Sequence, residues 1–326
     1  MKGIVWILIM FCVCTISGCF HRNTSGDVQP DSIFIFKHEL SNAVYYWKRS
    51  LNISGYEKDF IKKHDIKRVY LKFFDVGTDN LYNGQGEQPI PIATMIFNGS
   101  QQFFVDNEIE IVPVVFVTVE ALRLGKPLSE KIVKRVDDMC KANHMEYKEI
   151  QLDCDWTRET KYLFFELCQE VKQQLHFKKR GLSTTIRLHQ MRDSLPDIDY
   201  GVLMLYNTES LQDPKVKNSI LSSEAVKAYM KHAKSNKHLD FAFPTYEWTL
   251  WFKDGKFRGI VNSSDTLKEG TFRCERSEYE EIIATKNILK SDLKDIDYAS
   301  STIIYHLDSA NLSKYSDDEI NKIYCR

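Results

Sequence analysis

Neither of the two common phosphate-cradling glycine loops, GxGxxG and GxxxxGK[ST], occurs in this sequence, and no nucleotide cofactor is expected. There is no HxH or HExxH spacing for a metal and no CxxC redox pair, so no cofactor of any kind is read from the chain. Ser183-Thr184-Thr185 lacks the glycines of a nucleophile elbow, which excludes the usual serine-hydrolase arrangement. Excess positive charge is missing too: 44 Lys and Arg stand against 45 Asp and Glu, with no basic stripe, so nucleic acid is not a partner. After the first twenty residues no apolar run is long enough to span a bilayer.

The one apolar run, Ile4 to Val13, follows Met1 and Lys2 and has the length of a signal-peptide core. It ends in Ile16-Ser17-Gly18-Cys19. Small residues directly before a cysteine resemble a bacterial lipobox, which implies cleavage after residue 18 and lipidation, including palmitate, on Cys19. The expected organisation is therefore a lipoprotein signal peptide over 1–18, a lipidated Cys and polar linker over 19–31, and one domain over 32–326. Losing residues 1–18 removes one Lys, leaving 43 cationic against 45 acidic side chains, a charge of −2. The expected location is the cell envelope, held to a membrane through Cys19. Phe20, where some bacteria read an acid as a retention signal, points to the outer membrane and leaves open whether the domain faces the periplasm or the surface. Five cysteines follow Cys19; the odd count permits one or two disulfides and assigns none.

Over the remaining domain, short β-branched or aromatic runs alternate with charged amphipathic stretches. The strand candidates are Ala43–Trp47, Val69–Asp75, Ile111–Thr118, Glu149–Asp155, Leu182–His189, Val202–Tyr206, Asp240–Tyr246 and Thr302–Leu307. Helix candidates between them include Ser129–Asn143, Arg158–Leu175 with Thr157 as its N-cap, Ser223–Lys234 and Glu278–Leu289. Eight such alternations predict an α/β fold, a (β/α)8 TIM barrel; an open doubly wound sheet is the alternative. Asp254-Gly255 between aromatic arms predicts a β-hairpin inserted after strand seven.

In such a barrel, chemistry gathers where strands meet their following loops. Those positions hold Trp47, Lys72, Asp75, Glu120, Asp153, Asp155, Trp156, Arg187, His189, Tyr206, Asn207, Tyr246, Glu247, Trp248, His306 and Asp308. The mixture suits sugars, because aromatic faces stack on pyranose C–H surfaces while carboxylates, amides and Arg bond hydroxyls. Side chains alternate along a strand, so Asp153 and Asp155 face the same way about 7 Å apart. Two acids so close raise at least one proton affinity unless a cation intervenes, and Arg187 on the neighbouring strand is that candidate. Cys154 between them should face the helices.

Leu152-Asp153-Cys154-Asp155-Trp156 resembles the strand-four motif DxxDxDxE of family 18 glycoside hydrolases, the chitinase-like barrels. Met204-Leu205-Tyr206-Asn207 is similar to their strand-six MxY[DN] motif, and an LDxDxxT segment is shared with uncharacterised bacterial barrel lipoproteins. The resemblance implies that Asp153 and Asp155 are the second and third acids, and that Tyr206 and Asn207 hold a substrate's N-acetyl arm. It departs at both ends: Ile150 stands at the first acid and Thr157 at the proton-donating Glu. A threonine cannot supply that proton near neutral pH, so hydrolysis would need another acid, with Glu247, Glu120, Asp75 and Asp308 as candidates. The expectations are a membrane-anchored, carbohydrate-active barrel with Asp153, Asp155 and Glu247 as catalytic candidates. The alternatives are a glycan-binding barrel without catalysis and a structural envelope lipoprotein.

Overall fold

The computed structural model describes residues 34–79, 86–233, 238–261, 269–292 and 300–325. The signal peptide, Cys19 and the linker lie outside the described residues. Ile35 to Arg326 forms one compact unit.

All eight strand candidates are strands, shifted at their ends by a few residues: β1 (Asn42–Tyr46), β2 (Ile66–Asp79), β3 (Glu110–Val117), β4 (Glu149–Asp153), β5 (Gly181–Arg187), β6 (Tyr200–Met204), β7 (Leu239–Pro244) and β8 (Thr302–Tyr305). Each pairs in parallel with its sequence neighbours, and β1 pairs with both β2 and β8, which closes the sheet into a barrel and rules out the open sheet. Closure leaves each strand two buried faces. Tyr45, Tyr70, Val112, Val114, Val202, Met204, Ala242 and Ile303 meet along the axis. The alternate residues, such as Val44, Leu71, Ile150, Leu152, Leu203 and Ile304, pack outward against the helices.

Helices Gly55–Lys63, Ser129–Ala142, Lys161–Phe177, Ser223–Met230, Tyr279–Asp292 and Asp317–Tyr324 surround the barrel. The first and last begin with capping boxes, Ser54 with Glu57 and Ser316 with Glu319, each satisfying two otherwise unbonded N–H groups. Helix Lys161–Phe177 starts later than expected: its N-cap position is Thr160, and the Thr157 N–H donates to Thr160 Oγ1 at 3.0 Å instead. After β5 a short 3-10 turn, Leu188–Arg192, stands where a barrel helix would.

The insertion after β7 is larger than a hairpin. Strands Glu247–Lys253 and Lys256–Val261 pair antiparallel around Asp254-Gly255, whose φ values of 54° and 69° suit the two-residue turn that matches strand twist. A third strand, Thr271–Arg276, pairs along the other side of Glu247–Lys253. Buried Glu275 ties this sheet to the loop after β6: it accepts from the Ser219 N–H at 2.9 Å, the Ser219 hydroxyl at 2.6 Å and Trp248 Nε1 at 2.7 Å.

The N-terminal end of the barrel is closed by a charged clamp. The His38 ring lies 3.2 Å from Glu149 on β4 and 3.1 Å from Asp240 on β7, and it stacks on Tyr200. Arg68, also buried, bonds Glu110 at 2.9 Å. Burial alone would lower the His38 pKa, but bonds to Asp240 and Glu149 reverse this and raise it to about 9.

Candidate functional site

At the opposite end, where the strands run out, lies a cavity of about 540 Å³. It is lined by residues from seven strand ends and their loops, among them Trp47, Lys72, Asp75, Asp153, Asp155, Arg187, His189, Tyr206, Asn207 and Tyr305.

β4 and β5 supply the charges. Asp153 points along the axis and is buried; it accepts from the Thr185 hydroxyl and from Arg187 Nη2 at 3.3 Å. Asp155, two residues on, is exposed at the mouth and accepts from Arg187 Nε at 2.6 Å. One guanidinium thus lies between both acids. Burial raises the Asp153 pKa, and Arg187 with Thr185 only partly opposes this. Burial would weaken the charge on Arg187, but the two aspartates outweigh it and hold the guanidinium firmly protonated. Its Nη1 is buried with no hydrogen-bond partner, as is the Tyr206 hydroxyl in the same cavity. His189 is kept neutral by burial and by Arg187.

β2 supplies a second ion pair, Lys72 with Asp75 at 2.9 Å. Residues three apart on a regular strand face opposite ways. Here Lys72 opposes Val114 while Phe74 opposes Val115, a register shift that skips Phe73 and turns Asp75 to the same side as Lys72. The Lys72 ammonium also lies 5.3 Å from the centre of the Trp47 ring.

The remaining wall is aromatic. Tyr206 and Tyr305 stack at 4.7 Å, and Trp47 and Tyr246 stand against Tyr305 at 6.0 and 5.8 Å. Tyr246 forms a layer behind the lining, its hydroxyl donating to Asn207 Oδ1 at 2.7 Å.

Of the residues singled out from sequence, Trp47, Asp75, Asp153, Asp155, Arg187, His189, Tyr206 and Asn207 come together here. Others do not. Trp156 is buried between barrel and helix, edge-on to Phe165. Glu247 lines a separate cleft and pairs with Lys314 at 2.7 Å. Trp248 belongs to the insertion and bonds Glu275. Asp308 caps the short helix Ser309–Leu312 and pairs with Lys48 at 2.9 Å, which overcomes burial and lowers its pKa. His306, kept neutral by burial, is not among the lining residues. Glu120 lies in the first turn of helix Val119–Arg123, also off the cavity. Cys154 is buried among the outward-facing core residues, and Cys140, Cys154, Cys168 and Cys274 are free thiols. No cluster of metal-ligating side chains occurs among the described residues.

Sequence reasoning placed Lys72 at the end of strand two without giving it a role, and missed Phe116, Tyr229 and Tyr305 as lining residues. Tyr305 was legible from alternation, since it shares the parity of buried Ile303, whereas His306 has the opposite parity. The bulge that brings in Lys72 leaves no comparable mark.

No family model and no curated protein matches the sequence. Solved structures do resemble the fold. A chitinase from Chromobacterium violaceum is 12% identical with a TM-score of 0.58, over 87% of this chain and 98% of that one. A chitinase-like agglutinin from Robinia pseudoacacia is 12% identical with a TM-score of 0.52, over 87% and 99%. A GH18 chitinase from Cycas revoluta, solved in complex with (GlcNAc)3, is 10% identical with a TM-score of 0.54, over 87% and 98%. The chain is a closed eight-stranded parallel barrel with the fold of the chitinase-like proteins.

Proposed function

We propose that this chain is a lipid-anchored envelope protein that binds an N-acetylated glycan in the cavity at the C-terminal ends of its strands and does not hydrolyse it. One observation carries the reading: each carboxylate lining the cavity is matched to a cation, Asp75 to Lys72 and both Asp153 and Asp155 to Arg187. Protonating a glycosidic oxygen needs an acid that is both protonated and within reach of the sugar. Asp153 has the raised proton affinity but is only 2% exposed, beneath Arg187. Asp155 has the exposure but is fixed to the guanidinium. Thr157 holds the position where the resembled motif has its proton donor. Burial, and then Arg187, lower the His189 pKa, which depletes the imidazolium form that could protonate a glycosidic oxygen.

What remains suits binding. Tyr305, Tyr206 and Trp47 offer ring faces to a pyranose, and Asn207 with the unbonded Tyr206 hydroxyl and Arg187 Nη1 offers polar partners to an acetamide. The likeness to a protein described as a chitinase-like agglutinin, and to a chitinase solved with (GlcNAc)3, supports a glycan partner. Attachment to a membrane through Cys19 rests on the lipobox-like sequence.

Calorimetric titration with N-acetylglucosamine oligomers tests the reading. Binding should fall at least tenfold in Tyr305→Ala while the fold stays intact by circular dichroism. Equal affinity in wild type and Tyr305→Ala would remove the cavity as the site. Hydrolysis that is lost in Asp155→Asn would replace binding by catalysis, with Asp153 as the acid to examine first.

A further inference from the structure

The end of the barrel opposite the cavity combines exposed apolar side chains with unpaired cations. The segment entering β1 is fixed there: the Phe36 ring covers Gly181, the first residue of β5, so closely that a Cβ at 181 would meet Phe36 Cδ1 at 2.1 Å. Beside it Ile35 is 69% exposed. Phe177, the last residue of helix Lys161–Phe177, is 92% exposed, because the helix buries the stripe of Phe164, Leu167, Cys168, Val171 and Leu175 and Phe177 falls off that stripe. Lys178, Lys179 and Arg180 then lead into Gly181, whose N–H bonds the Lys148 carbonyl at 2.9 Å.

Among the described residues, Lys37, Lys148 and Lys179 have no ion-pair partner, whereas Lys178 and Arg180 share Asp137. Glu39 and Glu146 are exposed acids in the same segments, so the stretches 35–39, 146–148 and 177–180, with Asp137 counted, carry five cations against three acids.

We propose that this end of the barrel is a membrane-contact surface that rests on an anionic lipid bilayer, with Phe177 and Ile35 reaching the interface and Lys37, Lys148 and Lys179 among the headgroups. The inference rests on the lipid anchor proposed above. Fourteen residues, 20–33, separate Cys19 from the barrel, a length of chain that can reach at most roughly 50 Å, so an anchor at Cys19 keeps this end within that distance of the bilayer. Large apolar side chains rimmed by Lys and Arg are what an interfacial contact requires. The cavity opens at the other end of the strands, so this orientation turns it away from the anchoring membrane and toward glycan.

The test uses the unlipidated chain from residue 20, which holds all of both hydrophobic cores, co-sedimented with vesicles of equal parts phosphatidylglycerol and phosphatidylcholine. Binding is expected at low salt, weakening as salt rises, and absent on phosphatidylcholine alone. Phe177→Asp should lower the partition coefficient at least tenfold, and Lys148→Glu with Lys179→Glu should lower it by about fivefold per charge removed or more. Tyr162→Asp, at an exposed aromatic away from this surface, should leave it unchanged. No sedimentation of the wild type, or equal sedimentation of the Phe177→Asp chain, would overturn the proposal. So would a dimer in analytical ultracentrifugation that Phe177→Asp abolishes without any vesicle binding. Failure of the anchor itself reads out separately, as absent palmitate labelling of the full chain compared with Cys19→Ser.

Discussion

The clamp beneath the barrel makes stability depend on pH in a direction set by His38. In the folded chain its pKa is raised to about 9 from an ordinary 6.5, because Glu149 and Asp240 hold the imidazolium inside the barrel end. A raised pKa means that folding favours the protonated ring. The stabilisation is therefore complete below about pH 6.5 and disappears as pH rises toward 9. The gap corresponds to about 3 kcal/mol at 1.36 kcal/mol per pH unit. His38→Gln removes the cation and leaves two buried carboxylates facing each other, a loss of about 3–5 kcal/mol at pH 6. At pH 9.5 the wild type has lost its own imidazolium charge, so the difference between the two chains should shrink by about 3 kcal/mol. Urea unfolding at pH 6, 7.5 and 9.5 measures this as a midpoint difference that narrows by about 1 M. Taking the difference between the two chains cancels the other titrating groups. A midpoint difference that stays constant from pH 6 to 9.5 would refute the charged clamp.

Three further perturbations follow from the geometry. Glu275→Ala leaves the Ser219 and Trp248 donors buried without an acceptor, so melting should fall with a loss of roughly 3 kcal/mol, and proteolysis should first cut the inserted sheet or the loop after β6. Arg187→Met uncovers the Asp153 charge and should destabilise by about 3 kcal/mol above neutral pH and by less as pH falls and Asp153 takes up its proton; a loss independent of pH would contradict the pairing. Gly181→Ala drives a methyl into the Phe36 ring and should cost about 1–3 kcal/mol by thermal unfolding, whereas Gly125→Ala, with open space around it but a left-handed φ of 58°, should cost less.

Much of the barrel was readable from sequence because each strand is buried on both faces, which makes short, nearly continuous apolar runs, while the helices between them keep one charged face. The alternation on β4 likewise revealed that Asp153 and Asp155 share a side and that Cys154 does not. Trp156 was grouped with the rim residues although its parity with Cys154 already pointed it to the outer core, where it packs edge-on against Phe165 of the following helix. Other features depend on contacts between distant segments. Glu247 begins the inserted sheet, so its direction depends on how that sheet seats, and this is fixed by Glu275 and Ser219, which are remote in sequence. The third inserted strand, Thr271–Arg276, is largely exposed and mixed in character, with no hydrophobic alternation to betray it. Thr157 resembled an N-cap because the helical pattern nearly reaches it, yet Thr160 lies three residues nearer the helix and takes its N–H.

The central claim is that the cavity holds a glycan without cutting it. The most direct measurement is mass spectrometry of a panel of N-acetylated glycans incubated with the chain, run beside an affinity measurement on the same samples. The account predicts an intact oligosaccharide retained by the wild type and no new products over a time long enough for an active chitinase control to finish. Shortened products that appear with the wild type and vanish with Asp155→Asn would contradict it.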